Sequence, residues 1–220
     1  DHKGPYLYLL YGVGYLMSHT DFYGIFLLEV INLYIFAFFS YRTVCLYEEK
    51  AGLWIIPVGC ICVVISGAFV HGGSLEEFSL SSFAYAVYCL LKFIKTGEMS
   101  RGAFFWNGLC AGVVFWSKFT LSGGHFVFFC IVFVLLLANK RKREAFYFCV
   151  IYIGAAILAT IPWLIYFGAH DAYSAWFGTY LWDNIYSYPS EGFSFVRTLK
   201  NIVVLPVSFL FRKGNLKRNE

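Results

Sequence analysis

Seven apolar runs divide this chain, at 22–41, 53–70, 78–91, 103–117, 121–138, 145–168 and 199–211. A bilayer core about 30 Å thick is crossed by ~20 residues of helix, fewer where the ends snorkel or the segment dips. Runs 78–91 and 199–211 are the short ones. The pattern predicts an all-α fold, a polytopic transmembrane helix bundle of about seven spans. Composition agrees: 60% of residues are hydrophobic and only 14% charged, against roughly a quarter charged in a soluble domain. A soluble globular fold is excluded for want of a water-facing surface. The stretch 5–17 is too short for an easy span. Its Tyr6, Tyr8, Tyr11 and Tyr15 suit a helix lying in the headgroup zone.

Lysine and arginine give the orientation. The connectors 42–52, 92–102 and 139–144, with the tail 212–218, hold 13 of the 17 basic residues. With seven spans these four segments fall on one side, which the bias makes cytoplasmic. The other side collects Asp1, Asp21, Glu76, Glu77, Asp171, Asp183, Glu191 and all five histidines, so any chemistry is expected there. The chain reads as a single transmembrane domain: an outer loop and interfacial helix (1–21), a transmembrane core (22–168), an outer loop (169–198), and a last span with its cytoplasmic tail (199–220). It opens without Met or a signal-type segment and is expected to be a piece of a longer protein of the plasma membrane. The basic residues lie between apolar runs, which argues against a nucleic-acid groove.

Four constellations stand out on the outer side. In Asp1-His2-Lys3-Gly4-Pro5, Pro5 suits a first helical turn and Gly4 a sharp entry. Asp1 and Lys3 either present a carboxylate and an ammonium at the surface or simply start a helix. In His71-Gly72-Gly73-Ser74-Leu75-Glu76-Glu77, Ser74 and Glu77 have the spacing of a capping box, which explains Glu77 better than Glu76. Lys118, between two long apolar runs, has no carboxylate close in sequence. It either snorkels or meets an anionic headgroup. In 169–198, aromatic residues interleave with Asp183, Asn184 and Glu191, a composition shared by sugar-binding surfaces and by an interfacial aromatic belt. Deeper in the bundle, Glu29 with Asn32 one turn on is expected to be protonated or bonded internally.

Several classes are absent. The seven cysteines lie almost entirely within apolar runs without paired spacing and read as small buried hydrophobes. No P-loop, dinucleotide fingerprint, zinc-protease helix or nucleophile elbow occurs. No second half mirrors the first, as the inverted repeats of many transporters would.

With these residues assembled, the chain resembles bacterial members of the GT-C membrane glycosyltransferases, of the protein O-mannosyltransferase and lipid A aminoarabinose transferase type (glycosyltransferase family 39-like). Asp1-His2-Lys3-Gly4-Pro5-Tyr6-Leu7-Tyr8 is similar to the acidic-x-Lys-Pro-Pro-Leu element closing that family's first outer loop, and 24–41 to the span after it. Gly72-Gly73-Ser74-Leu75-Glu76-Glu77 falls where the family has an acidic residue in the next outer loop. Residues 108–124, with Lys118, resemble its Gly-x-x-x-Gly…Thr-Lys-Gly stretch. The likeness covers about 1–168. Gly4 replaces the first proline of the usual pair, a Glu-Glu pair replaces a single Asp, and Phe119-Thr120 replaces Gly-Pro. The family's first span and its loop acid would precede Asp1.

The resemblance implies transfer of a sugar from a polyprenyl-phosphate-linked donor to an acceptor on the extracytoplasmic face, with inversion. It implies catalytic roles for Glu76, Glu77 and Asp1, and phosphate binding by Lys3 and Lys118. Asp183, Asn184 and Tyr186 are candidates for sugar or acceptor contact, and His71 with Glu76 for a divalent metal, the one cofactor the reading leaves room for. The partners expected are the lipid-linked donor and membrane lipid, with no nucleic acid and an unspecified acceptor. A transporter or flippase of lipid-linked sugar precursors stays open beside the enzyme, since the same lysines would hold the headgroup without chemistry. So does a membrane scaffold, which needs neither.

Overall fold

The computed structural model describes residues 3–50, 52–65 and 73–187. Among them run eight α-helices: α1 (Pro5–Met17), α2 (Tyr23–Cys45), α3 (Gly52–Ile65), α4 (Leu75–Thr96), α5 (Arg101–Ser117), α6 (Ser122–Ala138), α7 (Lys142–Ala169) and α8 (Tyr173–Trp176). A 3₁₀ turn, Phe119–Leu121, joins α5 to α6, and a π-helical segment, Phe177–Ser187, follows α8. The described residues contain no strand, so the all-α expectation holds.

Four segments are long and apolar enough to cross a membrane: Tyr23–Cys45, Leu75–Thr96, Phe119–Ala138 and Lys142–Ala169. Their outward faces carry large exposed side chains such as Tyr34, Phe126, Phe146 and Ile165. Apolar surface on that scale needs lipid as its solvent, and the chain is a membrane protein. Of the other expected spans, α5 has 17 residues and α3 has 14, with Pro57 inside it. The run 199–211 lies outside the described residues.

The run 78–91 belongs to a longer helix than its apolar core suggests. Ser74 Oγ accepts from the Glu77 amide at 3.1 Å, and Glu77 Oε2 accepts from the Ser74 amide at 3.0 Å. This capping box satisfies two of the orphan donors of the first turn. Gly97, left-handed at φ 72°, closes the other end after 22 residues, a geometry that glycine adopts without penalty.

The helices form an up-and-down bundle with two distinct ends. Lys95 donates to the Leu46 carbonyl and Arg141 to the Gly97 carbonyl, so the three basic connectors meet at one end, called here the Arg141 end. The starts of α2, α4 and α6 and the last turn of α5 meet at the other, the Lys118 end. Helix α1 lies across this second end. Its partners are Ser117, Gly73 and Ile25, all at the tops of other helices.

Two features set the packing. Gly108 and Gly112 let α5 close on α7, where an added Cβ would overlap the Tyr152 carbonyl at the first and sit 2.6 Å from the Ala156 carbonyl at the second. Small residues four apart bring backbones together in lipid, where dispersion rather than water exclusion drives association. Below them, Phe104, Phe128, Val132, Leu136, Phe148 and Tyr152 form the buried core, with the Phe104 and Phe148 rings edge to face at 5.1 Å.

Candidate functional site

The Lys118 end is built from segments far apart in sequence. Helix α5 stops at Ser117, and Lys118 turns extended (φ −152°, ψ 110°) before the 3₁₀ turn. Its side chain thus leaves the helix axis and meets Glu76, in the first turn of α4. Lys118 Nζ donates to Glu76 Oε1, and the two side chains remain about one-third exposed, at 36% and 35%. An acid in a first helical turn also interacts favourably with the helix dipole.

Residues 3–5 are tied to the same place by the Gly4 amide, which donates to the Ser117 carbonyl at 2.7 Å. A Cβ at position 4 would overlap the Trp116 carbonyl. Proline fails here twice, for it lacks the N–H and carries the extra carbons. The glycine at position 4 therefore has a local cause. The contact sets Lys3 near Glu76, whose carboxylate feels the charges of both Lys118 and Lys3.

The turn carrying Glu76 is held from two further helices. The Gly73 amide donates to Glu29 Oε1, Asn32 Nδ2 donates to the Glu77 carbonyl at 2.5 Å, and Tyr11 Oη of α1 donates to the Gly73 carbonyl at 3.4 Å. Beneath lies Trp116, fully buried, with Nε1 donating to Thr160 Oγ1 at 3.0 Å. Trp176 stacks on it at 4.9 Å and Tyr180 lies parallel at 6.4 Å, while Tyr180 Oη donates to the Phe115 carbonyl.

Of the residues singled out in the sequence, Glu76, Lys118 and Lys3 come together. Glu77 is adjacent, but its carboxylate serves the cap. Asp1 and His71 lie outside the described residues, as do the side chains of Asp183, Asn184 and Tyr186 in the π-helical segment. Trp176 and Tyr180 form neither an open sugar platform nor a peripheral belt, since both stack on the central tryptophan. His125 is buried at 1% exposure, with Nε2 beside Ser82 Oγ. No group of three His, Cys, Asp or Glu among the described residues converges on a metal-sized site. Glu76, with an ammonium on one oxygen, does not suit a dication.

Sequence reasoning missed Lys118's partner, 42 residues away, while the internal bonding expected of Glu29 and Asn32 is met by Gly73 and Glu77. Their placement one turn apart on α2 was the available signal. No protein family, no curated protein and no solved structure matches this chain.

Proposed function

We propose that this protein is a multi-pass glycosyltransferase of the plasma membrane that moves a sugar from a polyprenyl-phosphate carrier to an acceptor hydroxyl, working at its Lys118 end. The observation that carries the reading is the convergence of Lys3, Lys118 and Glu76: two cations suited to a phosphate beside a carboxylate suited to a proton. The basic connectors gathered at the Arg141 end support a cytoplasmic position for that end, and hence an extracytoplasmic face for the site.

In this mechanism the donor phosphate competes with Glu76 for the Lys118 ammonium. Once Lys118 turns to the phosphate, the Glu76 carboxylate is free to take the proton of the acceptor hydroxyl. The acceptor oxygen attacks the anomeric carbon from the face opposite the phosphate. The bond from the anomeric carbon to the phosphate oxygen breaks, its electron pair leaves with the polyprenyl phosphate, and the configuration inverts. Lys3 and Lys118 offset the growing negative charge on the leaving group. No step uses a metal.

The full chain in nanodiscs, given a polyprenyl-phosphate sugar and an acceptor mixture, is expected to release polyprenyl phosphate. Glu76→Gln and Lys118→Ala should each suppress that release. Release that survives both substitutions removes the site assignment. Movement of the donor across the bilayer with no release at all supports the transporter reading instead.

A further inference from the structure

A second site, separate from the chemistry at Glu76, lies deeper between α5, α6 and α7. The three helices leave a groove of about 420 Å³, walled by Phe115, Phe126, Phe129 and Ile153, a size within the range of ligand sites. Four polar side chains interrupt this apolar wall: Tyr152 and Thr160 donate their hydroxyls to protein carbonyls, while Ser122 and His125 lie three residues apart on one face of α6. His125 Nδ1 and Ser122 Oγ are both buried and, among the described residues, have no hydrogen-bond partner. Buried polar atoms are paired in the great majority of cases, so two orphans side by side ask for a cause.

Neighbouring hydrogen bonds assign the histidine tautomer. Ser82 Oγ gives its single proton to the Ser79 carbonyl at 2.8 Å. Toward His125 Nε2, 3.3 Å away, it can therefore only accept, and Nε2 must carry the hydrogen. The neutral imidazole then presents a bare lone pair at Nδ1. Stacking on Phe83 at 5.1 Å and the Tyr152 hydroxyl on the His125 carbonyl at 3.1 Å fix the residue in place. The groove thus offers an acceptor at Nδ1 and a hydroxyl at Ser122 that can give or take.

A ligand group that donates once and accepts once answers both, and a hydroxyl does so. An ether or ketone has no proton to give, and a charged headgroup would be costly to bury in such a wall. We propose that this groove binds a long-chain alcohol, an amphiphile whose uncharged hydroxyl bonds His125 Nδ1 and Ser122 Oγ while its chain lies along α6 and α7.

The test uses the full chain in nanodiscs with ¹⁵N-labelled histidine, titrated with hexadecanol and with its methyl ether, which has no hydroxyl proton. Hexadecanol is expected to bind about tenfold more tightly than the ether. The His125 Nδ1 resonance should move at saturation with the alcohol and stay still with the ether. Ser122→Ala should reduce the preference about threefold, and His125→Leu should abolish it. Equal affinity for the two compounds, or an Nδ1 resonance unmoved by saturating alcohol, overturns the proposal. Because that comparison runs on the unaltered chain, it decides the matter even where the His125 variant fails to fold.

Discussion

The two ends of this bundle use charge in opposite ways. At the Arg141 end the basic side chains lie over rings: Arg42 and Lys92 over Tyr88, Lys95 over Tyr47, Arg101 and Arg143 over Tyr147, and Arg141 over Phe93. Arg141 also pairs with Glu144 three residues on. These are short-range or surface contacts, each worth a fraction of a kcal/mol to about 1 kcal/mol. At the Lys118 end charge is sparser, and an ion pair crosses between helices, joining α4 to the end of α5. The first end spreads cations over a surface, where the loss of one is absorbed. The second depends on a few residues, Lys118, Lys3 and Glu76 among them, that helix packing brings together.

The largest expected contrast between the ends is in turnover. Glu76→Gln should reduce release of polyprenyl phosphate by about 100-fold or more, the low end of what a lost general base costs. Arg143→Gln at the far end should leave it within about twofold. A comparable loss from both substitutions would erase the distinction, and initial rates at saturating donor measure it.

Next comes the fastening of the first segment. Gly4→Pro removes the hydrogen bond to Ser117 and forces atoms onto the Trp116 carbonyl, and is expected to cost about 2 kcal/mol or more. Denaturant titration in mixed micelles reads this. A Gly4→Pro protein as stable as the parent would mean that α1 is not tied to α5 in this way.

The ion pair itself should matter less to stability than to activity. Lys118→Met leaves Glu76 with only the charge of Lys3 nearby, but Lys118 and Glu76 are both about one-third open to solvent, so about 1 kcal/mol is expected once screening is allowed for. Lys140→Met, an exposed cation at the other end, should fall within about 0.5 kcal/mol. A double-mutant cycle of Glu76→Gln with Lys118→Met sharpens the comparison. Its coupling should exceed that of any Arg143 pairing with Tyr147.

The smallest effect belongs to the corner between α1 and α2. Asp21 accepts from Ser18 Oγ at 2.5 Å and from the Tyr23 amide at 2.9 Å. The Ser18 hydroxyl first, and the Tyr23 amide second, hold its carboxyl below the ordinary value of 3.8. A carboxyl lowered by folding adds stability above its unfolded value, and that stability is lost as pH falls through the folded one. Protection of the Tyr23 amide against exchange should therefore fall on acidification below 3.8. In Asp21→Asn that pH dependence should vanish.

How much of this was legible in the sequence follows from the range of the forces involved. The spans, the Ser74–Glu77 cap and the proline start of α1 rest on residues within a turn or two of each other. Apolar period and capping chemistry reveal them directly. The true length of α4 was hidden because its first turn carries Glu76 and Glu77 and its last turns Lys92 and Lys95, which read as connector until one sees Glu76 meet Lys118 and Lys95 reach the Leu46 carbonyl. The Lys118–Glu76 pair was invisible as a pair, since helix packing and not chain proximity creates it. Trp176 and Tyr180 were likewise ambiguous, because a stacked interior and an interfacial belt have the same composition.

One run of hydrogen bonds on α4 has a mechanical consequence. Ser79 Oγ bonds the Glu76 carbonyl at 2.9 Å, Ser82 Oγ bonds the Ser79 carbonyl, and His125 of α6 meets Ser82, while Asn32 of α2 grips the Glu77 carbonyl from another side. Helix α4 is thereby keyed like a shaft in its bearing. It can slide or tilt a little, but it cannot spin about its own axis without shearing teeth on two neighbours at once, and Glu76 keeps its heading.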